Sequence, residues 1–259
     1  MAAKAARPGP RKRFGQHFLA DPAAVRRIVA ALGPPAGPPV VEIGPGRGVL
    51  TAPLLEVFGR VTAVEIDRDL AAHLRARFPA SALTLLEGDV LDVALEDLAT
   101  EPVRLVGNLP YNVSKPVADK IVRERARVAG AVLMFQREVA ERLTAPPGTR
   151  AYGPLTVLVG EAFLVEPLFD LRPNAFRPPP EVMSTVTRWT PRPAAFSSVS
   201  EENLRAVLRA GFAHRRRTLR NNLPVALLED AGIDGSLRAE ALPLEDWRRL
   251  ARMWPRSAS

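Results

Sequence analysis

Cysteine is absent from the 259-residue sequence, which excludes disulfide bonds, thiol catalysis and metal sites with cysteine ligands. The histidines are few and scattered, so we expect no zinc site and no other resident metal. They are His17, His73 and His214. No apolar run approaches the roughly 18 residues that cross a bilayer, and the basic N-terminus lacks the apolar segment of a secretory signal. We therefore expect a cytoplasmic protein that does not enter a membrane.

Lysine is also scarce, and arginine supplies almost all of the 36 basic residues. Against 28 acidic residues they give a formal net charge of +8. A positive excess favours a polyanionic partner that is bound through its phosphates. A merely basic protein without such a partner stays an open alternative here, because net charge does not tell where the charges lie.

A glycine-rich turn follows the first short apolar run. The run is Val40–Ile43, it contains one acid, Glu42, and residues 49–58 behind the turn can form a helix. The glycines alternate and are Gly44, Gly46 and Gly48. Glycine accepts positive φ and has no Cβ atom to hold a ligand away. A buried strand, a glycine turn and a helix are typical of the first unit of a Rossmann-like nucleotide-binding fold.

An acid at the end of the next predicted strand supports a cofactor site. This acid, Glu65, lies about 20 residues beyond the turn, where such folds place an acceptor for ribose hydroxyls. The glycine spacing is GxGxG instead of the dinucleotide GxGxxG, which disfavours a dehydrogenase. A turn with a purely structural role is the alternative to a cofactor site.

Strand-like and helix-like segments then alternate, which predicts an α/β fold with a parallel sheet and helices on both faces. Four polar side chains follow predicted strands and should meet at one edge of the sheet. They are Glu42, Glu65, Asp89 and Asn108. For Asp89, capping of the next helix is an equally good interpretation.

The segment Asn108-Leu109-Pro110-Tyr111 carries the most specific chemistry. The Asn108 side-chain oxygen and the carbonyl of Leu109 or Pro110 could accept the N–H groups of an exocyclic amine, which would free the nitrogen lone pair. Tyr111 could stack on the base and hold it in line. The alternative is a plain Asn-Pro turn with a core tyrosine.

The segments GPGRG, EID, GDV and NLPY, in this order, resemble those of the S-adenosylmethionine-dependent adenine N6-methyltransferases. Together with RKRFGQHFL they resemble the rRNA adenine dimethyltransferases of the KsgA type, over about residues 11–255. The resemblance implies a Rossmann-like class I S-adenosylmethionine methyltransferase domain and a small all-helical C-terminal domain. The expected domain bounds are a basic arm (1–20), the methyltransferase domain (21–190), a linker (191–200) and a helical RNA-binding domain (201–259).

The resemblance also implies roles for individual residues. The candidate cofactor-binding residues are Gln16, His17, Leu19, Glu42, Gly44, Gly46, Glu65, Ile66, Asp89, Val90 and Asn108. Among them, Glu65 would bind the ribose hydroxyls and Asp89 the adenine amine of S-adenosylmethionine. The family usually has asparagine where His17 stands. The candidate catalytic residues are Asn108, Leu109, Pro110, Tyr111 and Phe176.

Phe176 begins a proline-rich segment that resembles the FxPxPxVxS element of the family, and it would pack against the flipped target base. The alternative is that its ring packs on the neighbouring prolines. The family often has lysine and aspartate where Glu181 and Met183 stand, so contacts at this rim are expected to differ.

The densest cationic segment follows the first predicted helix of the C-terminal part. It resembles a family segment and suits contacts with phosphates and RNA edges. The candidate RNA-binding residues are Arg215, Arg216, Arg217, Arg220, Asn221 and Asn222. An ordinary solvated charged face is the alternative.

The resulting hypothesis is a monomeric enzyme that uses S-adenosylmethionine to dimethylate two adjacent adenines in the 3′-terminal hairpin of small-subunit rRNA during assembly of the 30S subunit. One alternative is a macrolide-resistance methyltransferase that acts on one adenine of large-subunit rRNA. Another is a non-catalytic RNA-binding assembly factor on the same fold.

Overall fold

The computed structural model describes residues 17–110 and 113–255. Most of the predicted basic arm lies outside the described residues, and so do Gln16 and Tyr111. The described strands are β1 (Phe18–Leu19), β2 (Val40–Ile43), β3 (Val61–Glu65), β4 (Leu83–Glu87), β5 (Val103–Asn108), β6 (Val128–Gln136), β7 (Phe163–Leu171), β8 (Phe176–Arg177) and β9 (Ser184–Pro191). The described α-helices are α1 (Pro22–Ala31), α2 (Thr51–Phe58), α3 (Arg68–Arg77), α4 (Leu95–Leu98), α5 (Ser114–Arg123), α6 (Arg137–Leu143), α7 (Pro154–Ala162), α8 (Glu201–Gly211), α9 (Val225–Asp230) and α10 (Leu244–Met253).

Seven of these strands form one sheet in the order β4-β3-β2-β5-β6-β9-β7. The neighbours from β4 to β6 run parallel, and β9 pairs antiparallel with β6. The predicted α/β fold with a parallel sheet is therefore confirmed. The extension by β9 and β7 makes the sheet mixed.

The strand order reverses between β2 and β5. From β2 the chain builds β3 and β4 on one side, and it then returns to place β5 and β6 on the other side. Such a reversal separates the connections on either side of it and opens a crevice at the carboxyl ends of the two central strands. Ile43 ends β2 opposite Gly107, and Asn108 follows at the end of β5.

Local sequence explains how the first helix is placed against this sheet. Asp21 accepts hydrogen bonds from the amides of Ala23 and Ala24, at 2.8 and 3.3 Å, and so caps α1. Pro22 occupies the first turn, where its missing N–H costs nothing. The buried face of α1, which includes Ile28 and Val29, joins the core.

Two features of the strands go beyond the predicted elements. The short strand β1 pairs antiparallel with β8, so that Phe18 lies opposite Arg177. Strand β7 follows α7 directly, with no connecting residue between them.

The chain divides into two compact units. The first contains the described parts of Met1–Ala140 and Glu166–Thr190, and the second contains the described parts of Glu141–Val165 and Pro191–Ser259. The second unit thus includes Glu141–Val165, a segment from within the predicted methyltransferase domain. The sequence pattern did not predict that this segment belongs with the C-terminal part. The predicted domain bounds stay a prediction.

In the second unit, the side chain of Trp247, a residue of α10, is buried. Its ring stacks with Phe212 at 5.3 Å between centroids, and Gly211 leaves the space that the ring occupies. Glu161, which is buried, accepts from Arg248 at 2.7 Å and from the amide of Phe196 at 2.9 Å. The predicted linker is therefore hydrogen-bonded to α7. No helix among residues 17–110 and 113–255 is long and apolar enough to span a membrane.

Gly107 sets the spacing between β2 and β5. A Cβ atom there would lie 2.7 Å from the backbone oxygen of Ile43, so Gly107→Ala must push the two strands apart. We expect a loss of about 1–3 kcal/mol in the free energy of unfolding, measured by chemical denaturation. Gly160→Ala is the control, because no atom lies within 4 Å of its Cβ position and alanine in a helix is favoured by up to about 1 kcal/mol. Equal stability of Gly107→Ala and the wild type would contradict this account.

Candidate active site

A cavity of about 330 Å³ opens at the carboxyl ends of β2, β3 and β5. Its volume falls within the range of about 300–1,000 Å³ that is usual for small-molecule sites. All candidate cofactor-binding residues that the structure describes line this cavity, together with two of the candidate catalytic residues. They are His17, Leu19, Glu42, Gly44, Gly46, Glu65, Ile66, Asp89, Val90, Asn108, Leu109 and Pro110.

The glycine turn forms one wall of the cavity. Gly44 and Gly46 have φ angles of 65° and 58°, in the left-handed region where glycine is favoured. A Cβ atom on Gly46 would lie 3.0 Å from the ring of Phe18, which packs against the turn from β1. The turn therefore requires glycine: a side chain at Gly46 would crowd the ring of Phe18, and the positive φ angles are strained for other residues. The contact between Phe18 and Gly46 was not predicted, because nothing local in the sequence connects these two residues.

Glu65 ends β3 and is held by two backbone amides. Its carboxylate oxygens accept from Gly46 N and from Asp67 N, both at 2.9 Å. The side chain is only 3% exposed. Burial raises the pKa of Glu65, and the two amide hydrogen bonds act in the opposite direction. Each carboxylate oxygen can accept more than one hydrogen bond, so acceptor capacity is left for a diol in the cavity.

Glu42 lies deeper, with 1% of its surface exposed. Thr51 Oγ1 donates to its carboxyl at 2.6 Å. Burial raises the pKa of Glu42 to about 8, the hydrogen bond from Thr51 lowers it, and the nearby charge of Glu65 adds to the increase. At neutral pH this carboxyl is therefore mainly protonated, and it can donate a hydrogen bond as well as accept one.

Asp89 follows β4, with Gly88 between them. One carboxylate oxygen accepts from the amide of Leu91 at 2.9 Å, which stabilises the turn after Gly88. The half-buried side chain also lines the cavity. Asp89 does not cap the next helix, because the N-cap residue of α4 is Ala94. The contact with an adenine amine stays a prediction.

Asn108 lies at the switch point of the sheet. Its Nδ2 donates to the backbone oxygen of His17 at 2.9 Å, so the side-chain oxygen is left as an acceptor. The carbonyl of Pro110 already accepts from Val113 N at 3.2 Å and from Ser114 Oγ at 3.0 Å. Of the two carbonyls that the sequence offered as partners of a target amine, that of Leu109 is therefore the better candidate.

The structure does not bring Phe176 to this cavity. Its side chain is 1% exposed and belongs to the hydrophobic core. The pairing of β8 with β1 fixes the orientation of the strand, and the ring is directed into the core. This is a packing role, but in the hydrophobic core and not on the neighbouring prolines, as the alternative interpretation of the sequence had it. Stacking of Phe176 on a base stays a prediction, and it would require the ring to leave the core.

The candidate RNA-binding residues in the second unit fall into two groups. Arg216 and Arg217 are exposed. Arg215 donates to the carbonyl oxygens of Arg150 and Tyr152, and Asn222 Nδ2 donates to Gly211 O at 2.8 Å. Arg216 and Arg217 can reach a phosphate directly, whereas Asn222 and Arg215, which is also exposed, stabilise the fold through these bonds. Arg220 and Asn221 are exposed as well, but Arg220 Nε donates to Gly235 O at 3.4 Å and Asn221 Nδ2 donates to Thr218 Oγ1 at 2.7 Å.

The described residues offer no candidate metal site: residues 17–110 and 113–255 contain no group of three or more His, Asp or Glu side chains that could hold a metal ion. Arg47 is a cavity residue that the sequence analysis did not select. Its guanidinium lies 4.4 Å from the ring centre of Phe18. The position of Arg47 between two glycines in the sequence does not predict this contact with Phe18.

The chain is similar to known proteins both in sequence and in structure. The family model described as "Ribosomal RNA adenine dimethylase" matches residues 9–254. Proteins named "Ribosomal RNA small subunit methyltransferase A" are similar over nearly the whole chain. The one from Aromatoleum aromaticum is 46% identical over 92% of this chain and 91% of its own length. The one from Thiobacillus denitrificans is 45% identical over 93% of this chain and 96% of its own length.

Two solved structures are similar over most of the chain. A dimethyladenosine transferase from Plasmodium falciparum has a TM-score of 0.78 at 26% identity and covers 90% of this chain and 96% of its own. The 23S rRNA methyltransferase ErmE has a TM-score of 0.71 at 25% identity and covers 92% and 99%.

Glu42 makes the stability of the protein depend on pH. Between pH 4.5 and about 8 the folded protein keeps a proton that the unfolded chain has lost, so the contribution of this group is present at low pH and is lost as the pH rises through 8. Glu42→Gln removes the titration. Relative to this variant, the wild type should lose a few kcal/mol between pH 5 and 9, since a pKa difference of one corresponds to about 1.4 kcal/mol.

Denaturant unfolding at several pH values measures this difference. Glu56→Gln is the control, because Glu56 is exposed on α2, the helix that also carries Thr51. A constant difference in stability between the wild type and Glu42→Gln across this pH range would show that Glu42 does not titrate there.

Proposed function

The chain belongs to the ribosomal RNA adenine dimethylase family, and from this we propose that it methylates N6 of two adjacent adenines in the 3′-terminal hairpin of 16S rRNA. The enzyme is an S-adenosylmethionine-dependent rRNA adenine dimethyltransferase, and its product is N6,N6-dimethyladenosine. The observation that carries the proposal is the cavity at the switch point, where Glu65 and Asn108 line the same space.

The residues of the cavity fit the cofactor. S-adenosylmethionine offers a ribose diol, an adenine amine and an ammonium group as hydrogen-bond donors. The structure supplies three carboxyl groups at successive strand ends, Glu42, Glu65 and Asp89. The turn of Gly44 and Gly46 presents backbone without side chains to the same space. We assign the ribose to Glu65, the adenine amine to Asp89 and the methionine part to the glycine turn.

When bound, S-adenosylmethionine supplies a methyl group on a sulfonium, and its displacement leaves a neutral thioether. The part of the protein is to present the adenine amine in line. Asn108 Oδ1 and the Leu109 carbonyl accept the two N–H groups of the amine, which frees its lone pair to attack the methyl carbon. The nitrogen becomes acidic once the methyl group has arrived, so loss of its proton needs no strong base. Positioning and exclusion of water are expected to supply most of the rate.

The proposed partner is the 30S subunit or a precursor of it, bound by a monomer in the cytoplasm. RNA contact by Arg216 and Arg217 rests on their exposure in the most cationic segment of the chain. No metal is required by this chemistry.

Large-subunit rRNA is a less favoured substrate. Identity to the small-subunit enzymes is 45–46%, whereas identity to the large-subunit enzyme ErmE is 25%. A non-catalytic assembly factor is disfavoured too, because such a protein would have no need for the intact set of glycines, Glu65 and Asn108 around one cavity.

Methyl transfer from labelled S-adenosylmethionine to 30S subunits that lack the dimethyladenines tests the function. Reverse-transcription stops should map to two adjacent adenines of the 3′-terminal hairpin. Asn108→Ala should lower kcat by about 10²–10³, the usual effect of removing one group that stabilises a transition state. Asn174→Ala, on an exposed asparagine, is the matched control. Label on large-subunit RNA would move the assignment to the resistance class, and label on neither RNA would refute the substrate.

Replacement of both Arg216 and Arg217 by alanine tests the proposed RNA surface. The salt dependence of RNA affinity should weaken, because the slope of log K against log [salt] falls by about one for each phosphate that the protein no longer binds. Binding of S-adenosylmethionine should not change. Arg75→Ala removes an exposed arginine of the first unit and is the control. An unchanged slope in the double variant would contradict RNA contact by these arginines.

A further inference from the structure

Residue 17 connects the cavity with the proline-rich segment. His17 Nδ1 lies 2.9 Å from the carbonyl oxygen of Pro178, and the backbone oxygen of His17 accepts from Asn108 Nδ2, also at 2.9 Å. The next residue, Phe18, begins β1, which pairs with β8. One residue therefore bonds to Pro178 through its side chain and to Asn108 through its backbone.

The orientation of the Asn108 amide decides what this side chain can do. A carboxamide has one end that donates and one end that accepts, and the two ends have nearly the same shape. A backbone carbonyl can only accept. The His17 oxygen therefore selects the orientation in which the Asn108 amino group points to residue 17 and the side-chain oxygen is left for a ligand.

We propose that His17 is a positioning residue: by donating from Nδ1 to the Pro178 carbonyl, it holds its own carbonyl where it fixes the Asn108 amide with Oδ1 available to the target amine. The consequence for catalysis rests on the proposed function. The consequence for the orientation of the amide does not, because it follows from the two hydrogen bonds alone.

The chemistry of the His17 side chain supports this role. Pro178 has no N–H and offers only its carbonyl, so Nδ1 must carry the hydrogen. Both the neutral Nδ1–H form and the cation have this hydrogen, and the hydrogen bond is therefore compatible with either protonation state. Nδ1 is attached to Cγ, as is the amide nitrogen of asparagine. Asparagine can thus donate from the same place, whereas glutamine places its donor one carbon farther away and leucine has none.

Three variants test the proposal: His17→Asn, His17→Gln and His17→Leu. With RNA as substrate, His17→Leu should lower kcat roughly tenfold, which is the size expected for a misplaced hydrogen-bond acceptor. His17→Asn should restore at least half of the wild-type kcat, and His17→Gln should fall between the two. The dissociation constant of S-adenosylmethionine should change less than threefold in all three variants, and the midpoint of thermal unfolding serves as the control for folding.

A second measurement does not depend on activity. The side-chain amide signals of Asn108 in ¹⁵N-correlated NMR spectra are identified by their loss in Asn108→Asp. They should shift in His17→Leu and stay in place in His17→Asn. If the wild type methylates neither RNA but the signals behave in this way, the proposed function fails and the positioning role of His17 stands.

Three results would overturn the proposal. The first is an Asn108 signal and a kcat that His17→Leu leaves unchanged. The second is a loss in His17→Asn as large as that in His17→Leu. The third is a weakening of S-adenosylmethionine binding that accounts for the whole loss of activity, because His17 would then be a cofactor contact.

Discussion

The hydrogen bond from the Gly46 amide to the Glu65 carboxylate is the interaction on which the site depends. It joins the turn after β2 to the end of β3, and together with the amide of Asp67 it offsets the cost of burying a carboxylate. Without the turn Glu65 would be a buried acid with too few partners, and without Glu65 the turn would lose the acceptor that fixes it. Gly46 has a positive φ of 58°, a conformation that favours glycine at this position of the turn. The same glycine leaves room for Phe18 and so for the N-terminal strand.

The switch point of the sheet brings the second half of the site to the first. Gly107 lets β5 approach β2 so closely that a methyl group would not fit, and Asn108 therefore emerges beside the glycine turn. In the proposed reaction, cofactor and target amine would share this one cavity, which is what direct transfer of a methyl group between them requires. The polar side chains that line this cavity are mostly acceptors. They suit a cofactor that carries a diol, an amine and a positive charge. Asn108 would bind a separate amine, that of the target base.

Much of the fold and of the cavity could be predicted from the sequence, because their signals are local. Short apolar strands, a glycine turn and polar residues after strands are enough to place Glu42, Glu65, Asp89 and Asn108 at one edge. The pairing of β1 with β8 could not be predicted, because it joins two strands that are far apart in the chain. Each strand has only two residues, which is too short to show an alternation of apolar and polar side chains. For the same reason the direction of the Phe176 ring was open, and the ring packs into the core. The roles of Arg47 and of the His17 side chain also depend on these long-range contacts.

The most direct test of the account is a structure of the protein with S-adenosylhomocysteine bound. We predict that both ribose hydroxyls lie within hydrogen-bond distance of Glu65 while the Gly46 amide still donates to the same carboxylate. The adenine amine should lie at Asp89, and Asn108 should keep its hydrogen bond to the His17 carbonyl. A ribose bound elsewhere, or a Glu65 carboxylate that has turned away from Gly46 to receive it, would contradict the claim that this bond prepares the site for the cofactor.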